Sequence, residues 1–378
     1  MGTSTRTPRL LVLTPDFPPA LGGIQLLTYR LTAGIKGFDT RVLALDAPGA
    51  ESFDTHSGLA TRRVRVDKLP GAGRMAALNA VALVEAWRFR PDVALVAHIV
   101  ASPAAAAIQR TLGARTVQYF HANEIGDKPK LAAFAARRAD VAVAVSSYTA
   151  GLIGAVATPA DLRLIPPGVA LPEDPTPERR EPPTLLTIAR LRDDYKGHDV
   201  LIRSLALVRA DVPDVELVVI GDGPLRGKLE SLAHDVGVSD AVRFLGTVTD
   251  EERDRWLRRA DVFTMPSRLP ADGRAGEGFG IVYLESAAYG KPVVAGNVAG
   301  ALDAVADGET GLLVDPTDAR ALADALTRLL RDRELALRMG RAGAERAKGF
   351  AWPLIAARLE AVLVEQLAEK GAVARAEA

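Results

Sequence analysis

Short apolar runs of strand length recur along the chain, separated by longer stretches whose apolar residues fall at helical spacing. In the first half the runs are Leu10–Leu13, Val42–Leu45, Val93–Ala97, Thr116–Phe120, Val141–Val145 and Leu162–Ile165. The second half supplies Leu185–Ala189, Val215–Ile220, Val242–Leu245, Val262–Met265, Pro292–Ala295 and Gly311–Val314. Most are continuously hydrophobic rather than alternating, the pattern of a parallel strand with helices on both faces. Two doubly wound α/β domains follow, each Rossmann-like.

Between the two series, Ile165-Pro166-Pro167-Gly168-Val169 leads into Pro172, Pro175, Pro177, Pro182 and Pro183. Proline at that density neither continues a helix nor sits in a central strand. The reading is therefore a first domain over 1–168, a linker over 169–183 and a second domain over 184–353. Leu322, Ala325, Leu326 and Leu329 lie on one helical face, and Gly349-Phe350-Ala351-Trp352-Pro353 ends that pattern. A final helix from Leu354 to about Glu369, within the segment 354–378, is long enough to return to the first domain. Ligands of open α/β sheets bind beyond the carboxyl ends of the strands, so a cleft between two facing domains is expected.

Length and composition agree with this and remove several alternatives. A chain of 378 residues exceeds one ordinary core. Without cysteine there is no disulfide, thiol nucleophile or Cys-ligated metal, which fits a reducing cytoplasm. Aromatic residues are 5%, and 47 Lys/Arg balance 47 Asp/Glu, which argues against a nucleic-acid binder. No apolar run reaches the ~20 residues of a membrane span. The expected location is cytoplasmic. Neutrality is nevertheless uneven: residues 1–180 carry 21 Lys/Arg against 15 Asp/Glu, a net of +6, leaving −6 for the rest. Uneven surface composition explains that, and so does a basic half facing an anionic acceptor or membrane.

Chemistry should lie in the loops after the strands. The richest runs from Pro266 to Gly280 and leads into a helix expected to begin near Phe279. A helix start offers free N–H groups and a positive dipole end to a phosphate. Glu277 precedes that helix and Glu285 follows eight residues later, on the order of 12 Å along a helix. They could bracket a diphosphate and bind hydroxyls at either end, the layout of a sugar nucleotide; an acid near the helix start and an ordinary polar residue are the alternative. A second loop, Ala189 to Gly197, carries Arg190 and Lys196, which could neutralise a diphosphate without a metal. Taken alone, they are surface charges.

Gly221-Asp222-Gly223-Pro224-Leu225-Arg226-Gly227 departs from the dinucleotide fingerprint in spacing, and the following strand, Phe244-Leu245, ends in Gly246 rather than an acid. It reads as a tight turn lining the same site. His56, His98, His121, His198 and His234 show no metal-ligand spacing, so no metal and no cofactor is expected.

Arg190…Lys196-Gly197, Gly221-Asp222-Gly223-Pro224, Phe244-Leu245-Gly246 and Glu277-Gly278-Phe279-Gly280-Ile281-Val282-Tyr283-Leu284-Glu285 together resemble the retaining glycosyltransferases of family 4, which have the GT-B fold. Their Glu-x7-Glu motif matches Glu277 and Glu285. The likeness extends to Asp16-Phe17-Pro18-Pro19, Gly22-Gly23-Ile24-Gln25 and Pro166-Pro167-Gly168-Val169, and so spans nearly the whole chain. It implies that Arg190 and Lys196 bind the donor diphosphate and that Glu277, with the backbone of Gly278, Phe279, Gly280 and Ile281, holds sugar hydroxyls and phosphate. Glu285 would contact the ribose, Gly22 and Gly23 would admit donor and acceptor, and Gly221 and Gly223 would line the donor site. His121, in Tyr119-Phe120-His121-Ala122-Asn123-Glu124, matches the catalytic-region histidine, although Ala122 stands where many members have Gly; a buried structural histidine is the alternative. Pro167 stands where Asn is common. The resemblance implies catalytic roles for His121, Arg190, Lys196 and Glu277.

The motifs are most similar to the mannosyltransferase branch that builds phosphatidylinositol mannosides, so GDP-mannose is the favoured donor, with a UDP-sugar such as UDP-glucose next. The acceptor is a hydroxyl of a lipid or glycan. Thr61-Arg62-Arg63-Val64-Arg65-Val66-Asp67-Lys68, followed by Arg74, is a candidate for peripheral contact with anionic lipid at the inner face of the plasma membrane, and equally a solvated surface. Rivals from other classes are an NAD-dependent dehydrogenase and a non-catalytic nucleotide-sugar-binding partner.

Overall fold

A computed structural model describes residues 6–376 apart from 21, 67, 68, 177, 179, 180 and 272–274. The chain divides into two compact units, Met1–Gly168 with Trp352–Ala378, and Val169–Ala351. The proline-rich stretch belongs to the second unit.

The first unit holds β1 (Arg9–Leu13), β2 (Asp39–Leu45), β3 (Ala60–Val64), β4 (Val93–Val96), β5 (Arg115–Phe120), β6 (Val141–Ala144) and β7 (Leu162–Leu164). They form one parallel sheet in the order β3-β2-β1-β4-β5-β6-β7. The second unit holds β8 (Thr184–Ile188), β9 (Glu216–Ile220), β10 (Val242–Gly246), β11 (Val262–Met265), β12 (Val293–Gly296) and β13 (Gly311–Val314). Their order is β10-β9-β8-β11-β12-β13, again parallel. Every apolar run became a strand. The strand that the hydrophobic pattern passes over is β3, an edge strand of Ala60, Thr61, Arg62 and Arg63 that buries only Val64. With one neighbouring strand and a single buried side chain, it had no continuous apolar run to reveal it.

Both sheets reverse strand order once, between β1 and β4 and between β8 and β11. At such a point the loops from adjacent strands diverge to opposite faces and leave a crevice at the carboxyl ends. The helix Trp352–Ala376 closes the first unit's core, burying Ile355, Leu359 and Leu363 with Leu10, Val12, Leu27 and Leu31. Each such side chain contributes about 1.5–3 kcal/mol of transfer free energy. In the second unit, helix Ala319–Arg331 buries Leu322, Ala325, Leu326 and Leu329, and its start is capped by the Asp318 carboxylate. No described helix is long and apolar enough to cross a membrane.

Candidate functional site

In the second unit the loops after β8 and β11 flank the reversal point. The β8 loop is laced to its neighbour: Leu191 N–H donates to Asp222 O, and Leu225 N–H to Leu191 O (3.0 and 2.8 Å). A Cβ at Gly221 or Gly223 would stand 2.0 or 2.4 Å from the carbonyl oxygens of Ala189 and Leu191. These two glycines therefore support the Arg190 loop by close backbone approach. Asp194–Lys196 makes one 3-10 turn, stopped by Gly197 in the left-handed conformation. Gly197 packs so tightly on the β11 loop that a Cβ would lie 2.1 Å from Pro266 O. Arg268 N–H donates to Tyr195 O at 2.8 Å, a second tie between the loops.

This interlocking brings Lys196 and Glu277 together as an ion pair, their side chains 13% and 14% exposed. Burial works against the Lys196 charge, but Glu277, joined by Tyr195 and Asp193, outweighs it and holds the ammonium above its ordinary range. Arg190 is mostly exposed and faces Asp193 at 3.6 Å. The following helix is Ile281–Ala288, two residues later than expected, because Gly280 adopts a left-handed conformation before it. Its first-turn N–H groups, at Ile281 and Val282, have no intrahelical partner. Phe279 is a core side chain packed near Phe350, so only its backbone is available to a ligand. Gly278 lies in the same turn, where the preceding Glu277 carbonyl accepts the Gly300 N–H at 2.9 Å.

Glu285 has different surroundings. Burial pushes its carboxyl up while Arg253, with Nη1 at 3.9 Å, opposes this. It lines a cavity of about 410 Å³ with Arg253, Asp254, Tyr289 and residues 170–174, which the Lys196–Glu277 pair does not line. A larger cavity of about 1000 Å³ borders Pro183, Glu216, Ala241, Asp261 and Pro292, at the amino ends of the strands. Parallel sheets bind ligands at the other end, so volume is not the guide to the site.

In the first unit the loops after β1, β4 and β5 carry a second polar cluster. Gly23 opens helix Gly23–Gly34 behind Gly22, and a Cβ on Gly23 would meet no described atom within 4 Å. The fold itself does not demand glycine there. His121, 8% exposed, precedes helix Ala122–Asp127, and its Nε2 lies 3.2 Å from Ala97 O. A carbonyl only accepts, so that nitrogen carries the hydrogen. Burial lowers the imidazole to about 4, so His121 is neutral at physiological pH.

Two residues here escaped the sequence reading as site residues. Glu124, 5% exposed, accepts the N–H groups of His121 (2.9 Å) and Ile99 (3.0 Å), and it faces His98 Nδ1 at 3.1 Å. Burial raises its carboxyl to about 8 and lowers His98 to about 3. The signal was present: an acid three positions after a helix-capping residue is the capping-box spacing, and His121-x-x-Glu124 has it. Asp16, hydrogen-bonded by Gln25 at 3.3 Å, is also pushed up by burial.

No group of three or more potential metal ligands occurs among the described residues. Two family models match, Glycosyltransferase Family 4 over residues 21–172 and Glycosyl transferases group 1 over 173–346. A GDP-mannose-dependent alpha-(1-6)-phosphatidylinositol monomannoside mannosyltransferase of Mycobacterium tuberculosis is 36% identical, over 93% of this chain and 97% of its own length. Its counterpart in Mycolicibacterium smegmatis is 35% identical over 94% and 98%. Among solved structures, sucrose-phosphate synthase from Thermosynechococcus elongatus superposes with a TM-score of 0.80 at 20% identity, covering 96% of this chain and all of that one. That likeness establishes the two-domain GT-B architecture.

Proposed function

The chain belongs to glycosyltransferase family 4, and from that premise we propose that it transfers mannose from GDP-mannose to a hydroxyl of a phosphatidylinositol mannoside lipid. It is a retaining glycosyltransferase taking a nucleotide-sugar donor. The finer choices of base, sugar and acceptor follow the relatives, whose names specify them over nearly their full length.

The observation that carries the site assignment is the shielded Lys196–Glu277 pair beside a helix N-terminus at the sheet's reversal point. As the sugar–phosphate bond breaks, negative charge gathers on the diphosphate. Lys196 answers it as a compact charge, Arg190 as a mobile fork, and the N–H groups of Ile281 and Val282 as fixed dipoles. Glu277 holds Lys196 before the donor arrives, and in this reading it accepts sugar hydroxyls once the donor is bound. Glu285, with its own cavity, suits the ribose. In this reading departure is dissociative, with no carboxylate among the described residues assigned as a glycosidase-type nucleophile, and the leaving phosphate oxygen takes the acceptor proton on the retained face. Nothing in this scheme calls on a metal.

A panel of nucleotides scored by thermal unfolding tests the donor. At a hundredfold excess over its dissociation constant, GDP-mannose should add about 2.7 kcal/mol of stability. UDP-glucose should shift the midpoint less, and NADH not at all; a larger shift with NADH would return the dehydrogenase reading.

For the lipid side, the basic stretch of β3 is largely neutralised within the unit. Arg62 pairs with Glu85, Arg63 with Asp54 and Arg65 with Asp46; Asp67 and Lys68 lie outside the described residues. The better candidate is helix Gly71–Phe89, where Val84 and Trp87 are about half exposed and Arg74 and Arg88 point outward. Arg90 stacks on Trp87 at 4.3 Å. Apolar groups among cations suit an anionic membrane surface. The protein should pellet with anionic vesicles at low salt, less so at high salt. Trp87→Ala should weaken this at every salt concentration, and absence of pelleting throughout would exclude the contact.

A further inference from the structure

Glu124, His98 and Val100 present a proton-counting problem. Glu124 Oε2 accepts the Ile99 N–H at 3.0 Å and lies 3.1 Å from His98 Nδ1. Nδ1 in turn receives the Val100 N–H at 3.3 Å. A carboxylate beside a bare ring nitrogen at that distance sets lone pair against lone pair, a repulsion that a protonated carboxyl relieves. Because the Val100 N–H takes the one in-plane lone pair of Nδ1, that nitrogen carries no hydrogen. The single ring hydrogen of His98 is then on Nε2. No hydrogen bond among the described residues reaches Nε2, and it is not among the buried polar atoms lacking partners, so it faces solvent. His98 keeps 17% of its side chain exposed, directly beyond β4 at the reversal point of the first sheet.

We propose that His98 binds the acceptor, donating from Nε2 to a hydroxyl oxygen other than the one that reacts, and that Glu124 is the positioning residue that fixes this tautomer. The proposal rests on the reading of the chain as a hydroxyl-directed transferase. The groups assigned to the diphosphate, Lys196, Arg190 and the helix start at Ile281, all belong to the second unit, whereas a neutral N–H donor in the first suits an uncharged polyol. The charged and titratable groups acting on Glu124 are Asp16 from the β1 loop, His98 from the β4 loop, His121, and Lys128 from the end of helix Ala122–Asp127. Burial and Asp16 keep the proton on the carboxyl; the two backbone N–H groups and Lys128 favour its loss, with the balance at about 8. Above that pH the ionised carboxylate draws the ring hydrogen to Nδ1, and Nε2 ceases to donate.

The test uses the full-length protein with GDP-mannose and detergent-dispersed phosphatidylinositol monomannoside. His98→Ala should raise the acceptor KM about tenfold, the upper range for one neutral hydrogen bond, and leave donor KM nearly unchanged, while the loss of its bond from the Val100 N–H lowers the unfolding midpoint modestly. In wild type the acceptor KM should climb as pH passes about 8. Glu124→Gln, which cannot ionise, should flatten that climb even though altering the group that accepts the Ile99 N–H lowers its stability. Nitrogen-15 NMR of labelled histidine should show hydrogen on His98 Nε2 at pH 6.5 and on Nδ1 well above pH 8 in wild type, and on Nε2 throughout in the glutamine variant. An unchanged acceptor KM in His98→Ala, or an Nδ1–H tautomer at pH 6.5, would overturn the proposal. If wild type transfers no mannose and no nucleotide sugar stabilises it, the parent reading falls instead.

Discussion

Lys196→Ala is expected to lower turnover by three orders of magnitude or so, since it removes a preorganised charge from the departing diphosphate; loss of one neutral oxyanion donor already costs about 10²–10³. The substitution has a second effect that must be separated from the first. Glu277, 14% exposed, loses its counter-ion. Removing one partner of a buried pair costs about 3 kcal/mol at the lower end of such measurements. The double variant Lys196→Ala with Glu277→Ala removes both charges and should recover much of that stability. It should not recover turnover. Parallel assays of mannose transfer and thermal unfolding on wild type, both singles and the double therefore distinguish chemistry from folding. Near-normal kcat in Lys196→Ala would remove the residue from the mechanism.

Gly197→Ala should be among the most damaging methyl groups that can be added to the site. The residue sits at φ 77° and ψ 18°, where a side chain costs about 1–2 kcal/mol. The new Cβ would also stand 2.1 Å from Pro266 O, a backbone atom that cannot rotate away. A total near 3 kcal/mol follows, lowering the midpoint by roughly 6–12 °C for a unit of this size. Because the β8 and β11 loops would be forced apart, the Lys196–Glu277 pair should separate and transfer should fall with stability. Gly151→Ala is the control: that glycine is inside helix Ser147–Val156, a Cβ there meets no described atom within 4 Å, and the change should be neutral or mildly stabilising. Equal midpoints for the two variants would mean that the loops have room that this geometry denies them.

What the residues announced in advance was governed by how many neighbours each had to satisfy. Strands buried on both faces need unbroken apolar runs, so β1, β6 and β11 were plain, while the edge strand β3 was not. Lys196 and Glu277 were identified by their place in a motif, but their pairing across 81 positions depends on Gly197 fitting against Pro266, which no local pattern encodes. Phe279 shows the converse. It lies within the motif, yet its side chain belongs to the core. Glu124 was legible as a cap and illegible as a clamp, because its second bond, to Ile99, comes from another strand's loop.

The helix that begins at Trp352 also sets an order of assembly during synthesis. As the chain leaves the ribosome, the first seven strands are made long before Ile355, Leu359 and Leu363 exist to cover Leu10 and Val12. All of Val169–Ala351 must be translated in between. Until then the apolar face formed by Leu10, Val12, Leu27 and Leu31 lacks the helix that covers it. In the order of synthesis, this part of the first unit's core is therefore completed only after the whole second unit has been made.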